Sequence, residues 1–179
     1  MSVTTRPGGR SARVRADVHR AVAELVTEAQ GELTLPVIAT RAGVHPTTLY
    51  RRWGSLGELL EEVATSRFSG DIVVPDTGSL RGDLERWATD VATDLADPDS
   101  LALIRTTLGS GPDGGCACLG DRHDQLKAML EREQERGGAV PTVERAADTL
   151  LGALYYRALF SRQPMDEPWI KDLVDMLLR

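Results

Sequence analysis

The sequence predicts an all-α fold of about nine helices. Three observations carry this. Apolar residues recur at helical spacing through most of the 179 residues, and clusters of Gly, Pro, Asp and Ser punctuate them. The one β-prone run, Ile72-Val73-Val74, has no second run to pair with and reads as an extended loop. Near the N-terminus two short helical patterns flank Ala42-Gly43-Val44, the layout of a helix-turn-helix over about residues 34–53.

The elements follow in order. Residues 1–9, with Pro7-Gly8-Gly9, read as a polar arm. From about Ser11 to Ala29, Val14, Val18, Val22, Leu25, Val26 and Ala29 repeat as one helical face. Thr34 is placed to accept an orphan backbone N–H at the start of the second helix, and Pro36 falls in its first turn, where a missing N–H costs nothing. Val37, Ile38 and Ala42 give that helix its apolar side. Gly43 stands where the chain must leave it in a left-handed conformation. Pro46 makes His45 extended and opens the third helix, whose Leu49 and Trp53 share an inward face. Ser55 with Glu58 forms a capping box for a fourth helix to Phe68, with Leu59, Leu60, Val63 and Ala64 inward.

Residues 70–78 break the pattern and join two parts of the chain. A fifth helix, about Ser79 to Ala96, carries Leu80, Leu84, Trp87, Ala88, Val91 and Leu95 on one side. Asp97-Pro98 ends it, a sixth runs from about Asp99 to Leu108, and the 109–115 loop follows. The seventh spans about Cys118 to Arg136 and closes at Gly137-Gly138. The eighth, about Thr142 to Ser161, has a wide apolar face that includes Ala146, Ala147, Leu150, Leu151, Leu154 and Leu159. The last, about Glu167 to Leu178, is apolar at Ile170, Leu173, Val174 and Leu177.

The outer surface of the third helix carries Pro46, Thr47, Thr48, Tyr50, Arg51 and Arg52. Hydroxyls, a phenol and two guanidinium groups can meet base edges and phosphates in a major groove, and Thr34 stands beside them. Arg6, Arg10 and Arg13 could add phosphate contacts or stand in solvent.

From Thr34 to Leu60 the residues match the pattern T…IA..AGV…TLY..F/W.S..EL, and the chain resembles the TetR family of transcriptional regulators. The match covers 27 of the 179 residues in detail, and the overall length fits the rest. The resemblance implies a DNA-binding domain over 10–70 and a ligand-binding and dimerisation domain over 71–179. It implies a repressor that binds an inverted-repeat operator in double-stranded DNA as a homodimer. It also implies an unidentified small-molecule effector held among helices five to eight, near Trp87, Met129, Tyr155, Tyr156 and Phe160. The last two helices form the dimer interface in that family, which points here to Ala147, Leu151, Leu154, Leu173 and Leu177. Leu56 stands where the family often has a phosphate-contacting lysine, and His45 where it often has Ser.

Charge is distributed in keeping with this. The net charge is −6, yet residues 1–55 hold eight Lys/Arg against four Asp/Glu, a local +4. The remainder carries −10 and should point away from DNA. No apolar run approaches the roughly 18 residues of a membrane span, and no signal-peptide core is seen, so a cytoplasmic protein without membrane partners is expected. No catalytic set or phosphate loop appears, so no enzyme and no cofactor are expected. Cys116, Cys118 and His123 lie close in sequence and are the types that hold zinc or copper(I). They define an alternative, a metal- or thiol-sensing module in which DNA binding is secondary.

Overall fold

Nine helices form among the described residues, and no strand accompanies them. The computed structural model describes residues 9–28, 32–68, 73–108, 117–161 and 163–179, apart from the side chains of Arg10, Phe68, Ala117 and Cys118. The Arg6 arm, the 109–115 loop and Cys116 lie outside them.

Helix α1 (Arg10–Glu28) buries Val18, Ala21, Val22 and Val26 against α2 and, further along the chain, α6. Helix α2 (Leu35–Ala42) starts as its residues dictate: the Thr34 hydroxyl accepts the Val37 N–H at 3.4 Å. It stops at Gly43, whose φ of 68° and ψ of 29° lie in the left-handed region. There the Gly43 N–H reaches Thr40 O and the Val44 N–H reaches Ala39 O, so two otherwise orphaned carbonyls are satisfied. A side chain at 43 would strain this turn, which sets the angle to α3 (Pro46–Trp53). Helix α4 (Leu56–Phe68) is capped by Ser55, which accepts the Glu58 N–H at 3.2 Å. Leu49, Trp53, Leu59, Leu60, Val63 and Ala64 close the core between these helices. Ion pairs fix them from outside. Arg41 grips Glu28 through two bonds of 2.7 and 2.8 Å, and Glu62 on α4 receives Arg15 and His19 from α1.

The second half begins at α5 (Leu80–Ala96), with Ser79 as its cap. Helix α6 (Pro98–Leu108) and α7 (Ala117–Glu135) follow. Helix α8 runs over 143–161, and α9 is Glu167–Leu177, capped by Asp166. Helix α6 packs on both α1 and α4, and α7 also meets α4. The joint is polar at its rim. Thr27 on α1 donates to Asp99 at 3.0 Å, and Arg67 on α4 pairs with Asp97 at 3.0 Å. The hydroxyl and backbone N–H of Ser100, together with Arg67, hold the Asp97 carboxyl below its ordinary range. The 73–79 segment is tied down in turn. Thr77 Oγ1 donates to the buried Asp83 at 2.8 Å, and Arg132 donates to Pro75 O at 2.6 Å.

Helix α8 departs from a plain α-helix. Residues Ala147–Leu151 and Arg157–Ser161 adopt the wider π form. In an α-helix a step of four residues drifts by roughly 40° around the axis; wider turns subtract from that drift. Ala146, Leu150, Leu154 and Ala158 therefore stay on one buried line, while Asp148, Gly152, Tyr156 and Phe160 stay on one exposed line.

This corrects the dimer surface expected from sequence. Leu151, Leu154, Leu173 and Leu177 are all buried within the single chain, because α5 and α9 cover that side of α8; Ala147 is half-buried. They are core. The large apolar side chains that α8 and α9 leave outside are Tyr156, Phe160 and Met176, with Gly152 and the charged Asp148 exposed beside them.

Candidate nucleic-acid interface

Helix α3 owes its presentation to its two buried residues. With Leu49 fully buried and Trp53 nearly so, the remaining face must turn outward. Thr47, Tyr50, Arg51 and Arg52 are exposed; Pro46 and Thr48 are half-buried beside them. Thr34 is half-buried one helix away, with its hydroxyl engaged in the α2 cap. Ser11, Val14, Val44, His45, Thr48, Arg51 and Arg52 line an open cleft of about 620 Å³ between α1 and α3.

The two arginines differ. Arg52 donates to Ser11 Oγ at 2.7 Å and to Ser11 O at 3.3 Å, and its guanidinium lies 5.1 Å from the Trp53 ring centroid. It is pinned to the start of α1, with its charge facing a neutral group. Arg51 is exposed and has no hydrogen bond or ion pair among the described residues. Three other cations of α1 and α2 are already matched: Arg15 with Glu62, Arg20 with Asp17, Arg41 with Glu28. The Arg41 guanidinium holds the Glu28 carboxyl below its usual range, and Arg41 itself is shifted upward. The unmatched positive charge of α3 is thus concentrated on Arg51 and Arg52, at the rim of the cleft.

Two residues of this surface were not among the DNA-facing residues expected from sequence. His45 caps α3: its Nδ1 accepts the Thr47 N–H at 3.3 Å. Ser11 anchors Arg52. The signal for His45 was present, because the residue before a helix-opening Pro occupies the capping position; Ser11 depends on tertiary placement and had none.

The effector candidates fall into two groups. Trp87 and Met129 are fully buried, and Tyr155 on α8 is half-buried. Their surroundings are polar as well as apolar. Trp87 Nε1 donates to Gln125 at 2.8 Å, and the buried Arg122 donates to Asp94 at 2.6 Å. Burial pushes the Tyr155 phenol up, with opposing pulls from Arg122 and Asp94. Tyr156 and Phe160 stand on the opposite, outer side of α8, 62% and 74% exposed, with ring centroids 5.8 Å apart. The structure does not bring the five together. His123 is half-buried on α7, while Cys116 and the Cys118 side chain lie outside the described residues. Among the described residues no group of three or more His, Cys, Asp or Glu is gathered to hold a metal. No described helix is long and apolar enough to cross a membrane.

A capped helix pair that turns a basic, hydroxyl-rich helix outward defines a helix-turn-helix DNA-binding protein. Comparison with known proteins agrees. Residues 74–177 match the family model described as tetracyclin repressor-like, C-terminal domain. The HTH-type transcriptional regulator AqdR of Rhodococcus erythropolis is 32% identical over 148 residues, covering 81% of this chain and 71% of that protein. Among solved structures, the TetR family transcription regulator SCO0332 superposes with a TM-score of 0.65 at 29% identity, covering 93% of this chain and 97% of that one. A TetR transcriptional regulator from Rhodococcus sp. RHA1 shares the fold, with a TM-score of 0.65 at 21% identity, over 96% of this chain and 97% of that one. The chain belongs to the TetR family of transcriptional regulators and is a DNA-binding regulator; its relatives have a regulatory rather than a catalytic role.

Proposed function

We propose that the protein is a ligand-responsive repressor that binds an inverted-repeat operator as a homodimer. In this reading residues 10–70 form the DNA-binding domain and 71–179 the dimerisation and effector domain. Helix α3 enters the major groove. Thr47 and Arg51, four apart and both exposed, face base edges. Thr34, Pro46, Thr48, Tyr50 and Arg52 serve the backbone and the fit of the helix. The observation that carries the reading is the contrast between the two arginines: Arg52 is already fixed to Ser11, and Arg51 is left unmatched on the exposed face.

Dimerisation is assigned to the exposed strip of α8 with α9. Tyr156, Phe160 and Met176 are large apolar side chains in solvent, and a Cβ added at Gly152 would meet nothing within 4 Å. A second copy can approach there closely and cover them. Effector control then requires a ligand that favours a different spacing of the two DNA-binding domains. The α6 contacts to α1 and α4 offer the mechanical connection.

The test is fluorescence anisotropy with duplex DNA from the region upstream of the protein's own gene, across a salt series. Specific binding should fall steeply and linearly on a log–log plot, because phosphate neutralisation releases counterions. Equal affinity for that duplex and a scrambled one at every salt concentration would contradict the reading.

A further inference from the structure

His45 does more than close the end of α3. Its Nδ1 lies 2.8 Å from Thr47 Oγ1 and 3.3 Å from the Thr47 backbone nitrogen. The backbone N–H can only donate, so Nδ1 presents a lone pair there and the ring proton resides on Nε2. With Nδ1 unprotonated, the 2.8 Å approach of Thr47 Oγ1 directs the hydroxyl hydrogen to Nδ1, whose single lone pair then serves the backbone N–H and the hydroxyl together. The single proton of that hydroxyl is thereby used inside the protein. What remains for an outside partner is the pair of acceptor positions on Oγ1 and the γ-methyl. Thr47 is exposed on the face of α3 that turns outward.

We propose that His45 fixes Thr47 as an acceptor-only reader, so that Thr47 selects a base offering an exocyclic amino group in the major groove. Only adenine, through N6, and cytosine, through N4, offer such a donor there; guanine and thymine present O6, N7 or O4 acceptors. A threonine with a free hydroxyl would accept either class by rotating its proton. Locking the rotor turns a permissive contact into a discriminating one, since an acceptor placed against an acceptor leaves both unpaired. The Nε2–H of His45 is left as a donor at the edge of the cleft it shares with Arg51 and Arg52, where phosphate oxygens are the matching partners. His45 is thus a positioning residue and Thr47 the reading one. The inference rests on the placement of α3 in the major groove proposed above.

The experiment is selection from a random double-stranded library by the wild-type full-length protein. The Thr47→Val and His45→Ser variants follow, each checked for wild-type helicity by circular dichroism. Serine can still cap the helix through its own hydroxyl, so His45→Ser frees the Thr47 rotor without removing the cap. The wild type should select adenine or cytosine at one position of each half-site. Thr47→Val should lose the preference at that position alone, and His45→Ser should broaden it to guanine or thymine. Replacing the selected base by its analogue without the amino group should weaken wild-type binding roughly fivefold, the worth of one net hydrogen bond, and leave Thr47→Val binding unchanged. A selected operator whose preferences survive both substitutions would overturn the Thr47 assignment and leave the helix placement intact. No selected sequence at all would overturn the placement itself, and the assignment with it.

Discussion

Replacing Leu154 by Glu is expected to unfold the protein, at a cost above about 4 kcal/mol. Leu154 is fully buried on the inner line of α8, between α5 and the rest of the C-terminal core. A carboxylate there loses its hydration among apolar neighbours. Phe160→Glu on the outer line of the same helix is expected to behave in the opposite way. Phe160 is 74% exposed, so stability should change by no more than about 0.5 kcal/mol. The dimer, however, should be lost, since the substitution sets a charge where two copies would meet. Urea unfolding followed by circular dichroism measures the first effect, and sedimentation velocity the second. If Phe160→Glu sediments as a dimer, the α8 strip is not the interface. If Leu154→Glu folds normally, the placement of the two faces of α8 is reversed.

The second large effect is expected at α3. Arg51→Ala should remove discrimination at one base pair of each half-site, about 1–3 kcal/mol per lost bidentate contact, and leave non-specific binding nearly unchanged. Arg52→Ala should weaken binding to all sequences and lower the log–log salt slope by about 1, because it holds a phosphate-facing charge rather than a base-reading one. Competition titrations with single-base operator variants separate the two. The reverse pattern, with Arg52 controlling sequence preference and Arg51 only the overall affinity, would show that the pinning of Arg52 to Ser11 is released on DNA.

Much of the fold could be read from the sequence where a local rule acts alone. Thr34, Gly43 and Ser55 each act at a helix end through their own chemistry, and all three mark boundaries in the structure. The inward residues of α4 and α5 followed from helical spacing, because each of those helices buries one stripe. Helix α8 did not yield to the same argument. Its apolar residues cover a wide face, and periodicity says how wide a face is, not which neighbour covers each part. Leu151 and Leu154 met α5 and α9, and Tyr156 and Phe160 were left exposed on the other side. The π segments that keep those two on one line with Gly152 have no composition signal in the sequence. At α3 the outward face was legible from Leu49 and Trp53, but the division of labour between Arg51 and Arg52 was not. It depends on Ser11, 41 positions away in the chain.

The central claim is that two copies of α3, held by a two-fold contact through α8 and α9, read successive major grooves. That fixes their separation at about 34–36 Å, one turn of duplex. The direct measurement is affinity for the selected inverted repeat as the spacing between half-sites is varied. Inserting about 5 base pairs rotates one half-site to the far side of the duplex and should reduce binding to the level of a single half-site; inserting about 10 returns it to the same side at a different distance and should restore little. Affinity that is indifferent to the 5-base-pair insertion, or equal for one half-site and two, would contradict the account.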